Sequence, residues 1–194
     1  MDHHPAALLL LYLVLPLWIL AGTADWLFHR RQRIECNAGV KESVLHLLMF
    51  VEIAVPVLAC LLLDINALVF ALMLAAFALH EATSLWDVSY AASRRRVPPL
   101  EQHVHSFLEI LPLTAGLLVA VLHWPQALAL FGAGPEPARW DLAWKRPALP
   151  PAYVAAVIAA AALLAGLPFL EELQRTLRVR ARSRPPEPAP SRRP

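Results

Sequence analysis

Nine acidic and histidine residues recur in carboxylate–imidazole sets at helical spacing. Asp25 and His29 are four apart, as are Glu42 and His46; His80 and Asp87 are seven apart; Glu101, His105 and Glu109 follow at successive fours. Spacings of four and seven put side chains on one helix face. One such pair is ordinary, but four together are a candidate site. Carboxylates at Asp25, Glu42, Asp87, Glu101 and Glu109 would repel one another unless protonated or neutralised, and two divalent cations would balance most of that charge. Mixed imidazole and carboxylate ligation suits iron, manganese or zinc. Carboxylate-rich dinuclear sites in four-helix bundles take their ligands from facing helices. The expectation is a centre of two divalent ions, iron first and zinc or manganese as alternatives, held by Asp25, His29, Glu42, His46, His80, Asp87, Glu101, His105 and Glu109.

Other polar residues are candidates for supporting those ligands by hydrogen bonds: Glu35, Glu81, Ser84 and His103. Glu35 joins the cluster only if a helix continues through Gly39, and His103 points away from the Glu101 stripe. Glu52, in "FVEIAVPVL", is expected to bond a neighbouring helix or belong to a proton path. Arg94, Arg95 and Arg96 read as topology signals.

The elements that must position these residues are apolar. The chain has 194 residues, 58% hydrophobic and 16% charged. Stretches of about 20 mostly apolar residues read as transmembrane helices, and five are found, at about 6–28, 44–63, 66–86, 106–123 and 152–170. Ionisable groups are costly in such helices, at roughly 2.5–3.5 kcal/mol each at the bilayer centre on insertion scales. Lys and Arg are segregated: 14 of 17 flank one set of helix ends, and only Arg139, Lys145 and Arg146 lie in the 124–150 loop. The positive-inside rule then sets the N-terminus outside and the C-terminus in the cytoplasm. Segments 1 and 3 end, and segments 2 and 4 begin, at the cytoplasmic side, so all four sets reach one depth.

The expected fold is an all-α integral membrane protein of the plasma (inner) membrane. Five transmembrane helices occupy residues 1–173, with helices 1–4 an antiparallel bundle around a polar cluster near the cytoplasmic face. The 124–150 loop lies along the outer interface, and residues 174–194 form a disordered, basic, Pro-rich tail. Segment 5, rich in Ala, reads as a packing helix. "LLLDINALVF" makes a tight turn around Asp64–Asn66. Cys36 and Cys60 are too far apart for a disulfide. The small net charge of +2, with its basic residues segregated, gives no sign of a nucleic-acid partner.

The layout resembles membrane-bound fatty-acid hydroxylases and desaturases, on "DWLFH", "ESVLH", "LHE" and "EQHVH". It is a resemblance of arrangement across segments 1–4. The HxxHH boxes of those proteins are missing here, carboxylates are more numerous and histidines fewer. In that respect the chain is similar to soluble ferritin-like di-iron bundles, although their E-x-x-H pairs are missing too. It also resembles intramembrane zinc hydrolases acting on lipid amides. The resemblance implies a metalloenzyme oxidising a lipid-like or quinone substrate that enters from the inner leaflet, with an electron donor as partner. Zinc in the same ligands would make it a lipid hydrolase, and a metal or proton transporter is the non-enzymatic alternative.

Overall fold

In the computed structural model, which describes residues 4–183, five helices are long and apolar enough to cross a membrane. They are α1 (Pro5–Gln32), α2 (Val40–Leu62), α3 (Ala67–Arg94), α4 (Pro99–Leu122) and, after the short α5 (Trp124–Ala129), α6 (Pro151–Arg182). α2 packs antiparallel on α3 and also against α6, and α1 packs against α4 and α6. The chain is apolar outside and polar within: Leu20, Leu79, Leu117 and Val121 face outward, while His29, Glu42, Glu101 and Glu172 are fully buried. That inversion suits a lipid surround and not water.

The helices run beyond the apolar stretches that mark them in the sequence. α3 continues to Arg94 and α6 to Arg182. An apolar window measures only what crosses hydrocarbon, whereas the helix persists because Asp87 and Glu172 are buried inside the bundle. Residues 174–182, expected in the tail, are therefore helical. The remainder of that expected tail, 184–194, lies outside the described residues.

The α1–α2 connection is a break. Arg33 turns left-handed at φ 54°, and Ile34–Cys36 forms a 3₁₀ turn. Gly39 sits at φ 72° and ψ −152°, a conformation reserved for glycine. No helix runs through Gly39, and Glu35 is carried off to an ion pair with Arg175. At the opposite end of the bundle, Asn66 closes the α2–α3 turn. Its Oδ1 accepts from the Val69 N–H at 3.2 Å, and its Nδ2 donates to the Asp141 carbonyl at 2.8 Å. The 124–150 connection folds onto this turn, with Asp64 N–H donating to Ala143 O and Lys145 N–H to Leu62 O. Its three tryptophans, Trp124, Trp140 and Trp144, are exposed. We refer below to this as the loop end and to the other as the cluster end.

α6 is latched to α1 along its length. Gly22 and Ala165 bring the two backbones close, a Cβ at Gly22 lying 3.7 Å from that of Ala165. Each helix has one π turn, Leu10–Val14 in α1 and Ala162–Gly166 in α6. The Tyr153 hydroxyl of α6 donates to Leu11 O at 2.6 Å, and the Thr23 hydroxyl of α1 donates to Leu164 O at 2.7 Å. Both accepting carbonyls belong to these π turns.

Asn66→Ala removes a helix cap and the tie to the loop together. It is expected to destabilise the protein by about 1–3 kcal/mol, read as a lowered unfolding midpoint in detergent.

Candidate metal centre

The last turns of α1 and the first turns of α4 bring four ligand-type atoms together at the cluster end. His29 Nε2 lies 3.3 Å from Asp25 Oδ1 and 3.6 Å from Glu101 Oε1. His105 Nε2 lies 2.9 Å from Asp25 Oδ1 and 4.0 Å from Glu101 Oε1. A tetrahedral ion with ligand bonds of about 2.0–2.2 Å spaces its donor atoms about 3.3–3.6 Å apart. The four separations straddle that value. A second group, His29, Glu42 and His46, also offers atoms within 4.8 Å of one another. His46 Nε2 lies 3.4 Å from Asp87 Oδ2.

One buried carboxylate orients both central histidines. Glu172 of α6 faces His29 Nδ1 at 3.1 Å with one oxygen and His46 Nδ1 at 2.8 Å with the other. A carboxylate accepts, so both Nδ1 atoms donate, and a ring in its neutral form then carries its lone pair on Nε2. Both Nε2 atoms are buried without a hydrogen-bond partner. The rings stack at 4.2 Å and 8°, which fixes their facing. An imidazole held by a carboxylate on one nitrogen and open on the other is the arrangement of metal-bound histidines.

Arg95, just past α3, ties the site together. Its Nη2 donates to Glu42 Oε1 and to Glu101 Oε1, both at 2.6 Å, and its Nη1 to Gln32 Oε1 at 2.8 Å. Gln32 Nε2 in turn donates to Glu101. Burial works against the Arg95 charge, and its bonds to Glu101 and Glu42 more than offset that, raising it above even the ordinary arginine value. Five carboxylates, Asp25, Glu42, Asp87, Glu101 and Glu172, are buried in the cluster, and only Glu42 and Glu101 pair with this guanidinium. With the histidines neutral, four negative charges stay uncompensated, which is the charge of two divalent cations.

Six of the nine expected ligands thus fall into the two groups, and Asp87 stands beside His46. His80 and Glu109 do not join them. His80 Nδ1 faces Glu52 Oε2 at 3.8 Å, and Glu109 accepts from the Ser84 hydroxyl at 3.3 Å. The spacing on α3 and α4 puts His80 and Glu109 on the right face but deeper along the helices. With Asp25, His46, Asp87 and His105 they line a cavity of about 150 Å³, whose other walls include Trp18, Phe50 and Phe169. Of the supporting candidates, Ser84 lines this cavity. Glu81 has a buried oxygen without a partner, Glu35 is paired elsewhere, and His103 is exposed against Phe107. Glu52 accepts from the Thr83 hydroxyl at 2.9 Å, the expected bond to a neighbouring helix.

Sequence reasoning missed Glu172, Gln32 and the role of Arg95. Glu172 carried a signal: "FLEELQR" puts an acid at the cluster depth of segment 5, just beyond its apolar stretch. Comparison with protein-family models, with curated proteins and with solved structures found no match for this chain.

Arg95→Met leaves Glu42 and Glu101 buried without their cation. Breaking such a pair costs about 3–5 kcal/mol, so the variant is expected to unfold at markedly lower temperature. Arg95→Lys, which keeps the charge but loses the fork, is expected to fall between them.

Proposed function

We propose that the chain is an integral membrane metalloenzyme with a dinuclear, iron-type centre that oxidises a lipid-like or quinone substrate. Asp25, His29, Glu101 and His105 hold one ion, and Glu42, His46 and Asp87 the second. The observation that carries the reading is the meeting of two environments: the charged cluster forms part of the wall of a cavity otherwise made of aromatic and aliphatic side chains. A hydrophobic molecule in that cavity lies against the ligand set with water largely excluded. When bound, iron supplies oxygen chemistry. A hydroxylation consumes one molecule of oxygen, two electrons from an external donor and two protons, and yields the hydroxylated product and water. Glu172 and Arg95 serve the site by orienting ligands and fixing their charge. The segregation of Lys and Arg supports placing the cluster end at the cytoplasmic face of the inner membrane.

The near-tetrahedral spacing of Asp25, His29, Glu101 and His105 favours one second reading, a zinc-dependent intramembrane lipid hydrolase. There the same four residues hold zinc, which supplies a hydroxide near neutral pH.

Elemental analysis of the purified protein tests both. Two irons per chain with a visible ligand-to-metal band supports oxidation, and stoichiometric zinc supports hydrolysis. His46→Ala and His105→Ala are each expected to lower metal content while the protein still inserts, and Glu172→Ala to weaken metal affinity about 10–100-fold. Unchanged metal in both histidine variants, or no metal in the wild type from metal-replete cells, overturns the proposal.

A further inference from the structure

The loop end holds a second and larger cavity, of about 730 Å³, between α1, α2, α3, α4 and the 124–150 connection. Its walls are apolar, with Leu10, Phe70, Phe77 and Leu113 among them, and its charged lining is mostly basic: His4, His123, Lys145 and Arg146 against Asp64. Asp64 is already paired, with Arg139 at 2.8 Å. The Lys145 ammonium makes no hydrogen bond or ion pair among the described residues, yet its backbone is pinned to Leu62 O at 2.9 Å. Burial holds both Lys145 and His123 below their ordinary values, and the Lys145 charge lowers His123 further. Such a pocket gains from an anion.

This cavity is not separate from the one at the cluster. Leu15, Trp18, Ile53 and Val57 line both. The apolar lining therefore runs from Lys145, level with Leu62 at the end of α2, to His46 near its start. Sixteen residues of helix span about 24 Å at 1.5 Å per residue, the scale of an extended long-chain fatty acid.

We propose that the two cavities form one binding site for a long-chain fatty acid, its carboxylate at Lys145 and its chain passing Trp18 and Ile53 to the metal-ligand cluster. The assignment of this molecule as substrate rests on the metalloenzyme reading above. The head is then anchored at the loop end, not at the inner leaflet, and the carbons presented for reaction are those far from the carboxylate.

Binding of radiolabelled palmitate to the purified full-length protein tests the proposal. Wild type is expected to bind one palmitate per chain. Lys145→Gln is expected to bind it at least ten-fold more weakly, Lys145→Arg nearly as well as wild type, and methyl palmitate is expected to compete poorly. With Mn²⁺ loaded as the probe ion, a nitroxide near the methyl end of bound stearate is expected to broaden, and one near the carboxylate to remain sharp. Equal palmitate binding by wild type and Lys145→Gln overturns the proposal, as does an unbroadened methyl-end nitroxide on protein that holds Mn²⁺. Metal content measured on the same samples separates the two readings. Metal uptake without palmitate binding defeats the fatty-acid site alone. Palmitate held through Lys145 by a chain that takes up no metal defeats the metalloenzyme reading and the assignment as substrate, while supporting the carboxylate site.

Discussion

Five carboxylates buried at one end of a helical bundle must find positive charge inside the protein, because neither lipid nor packed side chains can solvate them. Much of the architecture answers that requirement. α3 runs past its apolar stretch to deliver Arg95 to Glu42 and Glu101. α1 ends at Gln32, whose amide bridges Arg95 and Glu101. Glu172 comes from α6 and engages both central imidazoles. One guanidinium is too little for five acids, and the histidines, turned so that their free nitrogens face the remaining carboxylates, provide the places where cations would complete the balance.

The fold was legible in the sequence because helices long and apolar enough to cross a membrane leave a long, simple signal. Five apolar stretches and the tight turn at Asp64–Asn66 follow directly from composition. The shared depth of the acid–histidine pairs followed from helix direction, and the structure brings Asp25, His29, Glu42, His46, Glu101 and His105 together. What was not legible is azimuth and depth within a turn or two. His80 and Glu109 have the right spacing, but the offset between neighbouring helices leaves them on the wall of the cavity. Arg95 looked like one of three interchangeable arginines in "SRRRV", and only the end of α3 picks it out from Arg94 and Arg96. Glu35 hinged on whether Gly39 continued a helix, a matter of backbone dihedrals that spacing does not determine.

The fifth spanning helix is the element whose role changed most. A stretch of alanines and leucines suggests filler, yet α6 carries the acid that sets both central histidines. Its small residues do contribute packing, since Gly166 lies under Phe50 and Ala165 against Gly22. Close packing and the placement of Glu172 are one and the same service: only a helix that approaches α1 and α2 this nearly can reach both imidazoles with a short carboxylate.

The paired π turns give that helix a fixed phase. A π turn adds one residue to the coil, so everything beyond it is rotated by about 100° relative to an uninterrupted α-helix. In α6 the extra residue falls within Ala162–Gly166, just upstream of Glu172. Its carbonyl at Leu164 is claimed by Thr23, while Tyr153 claims Leu11 in the matching turn of α1. These contacts work as a reciprocal detent. In hydrocarbon no water can take over a released carbonyl, so α6 has no cheap way to twist or slide a notch. Losing a single residue from that turn would spare the hydrophobic length of the helix and still swing the carboxylate off the imidazoles, so that the geometry of one end is indexed by a defect in the middle of the helix.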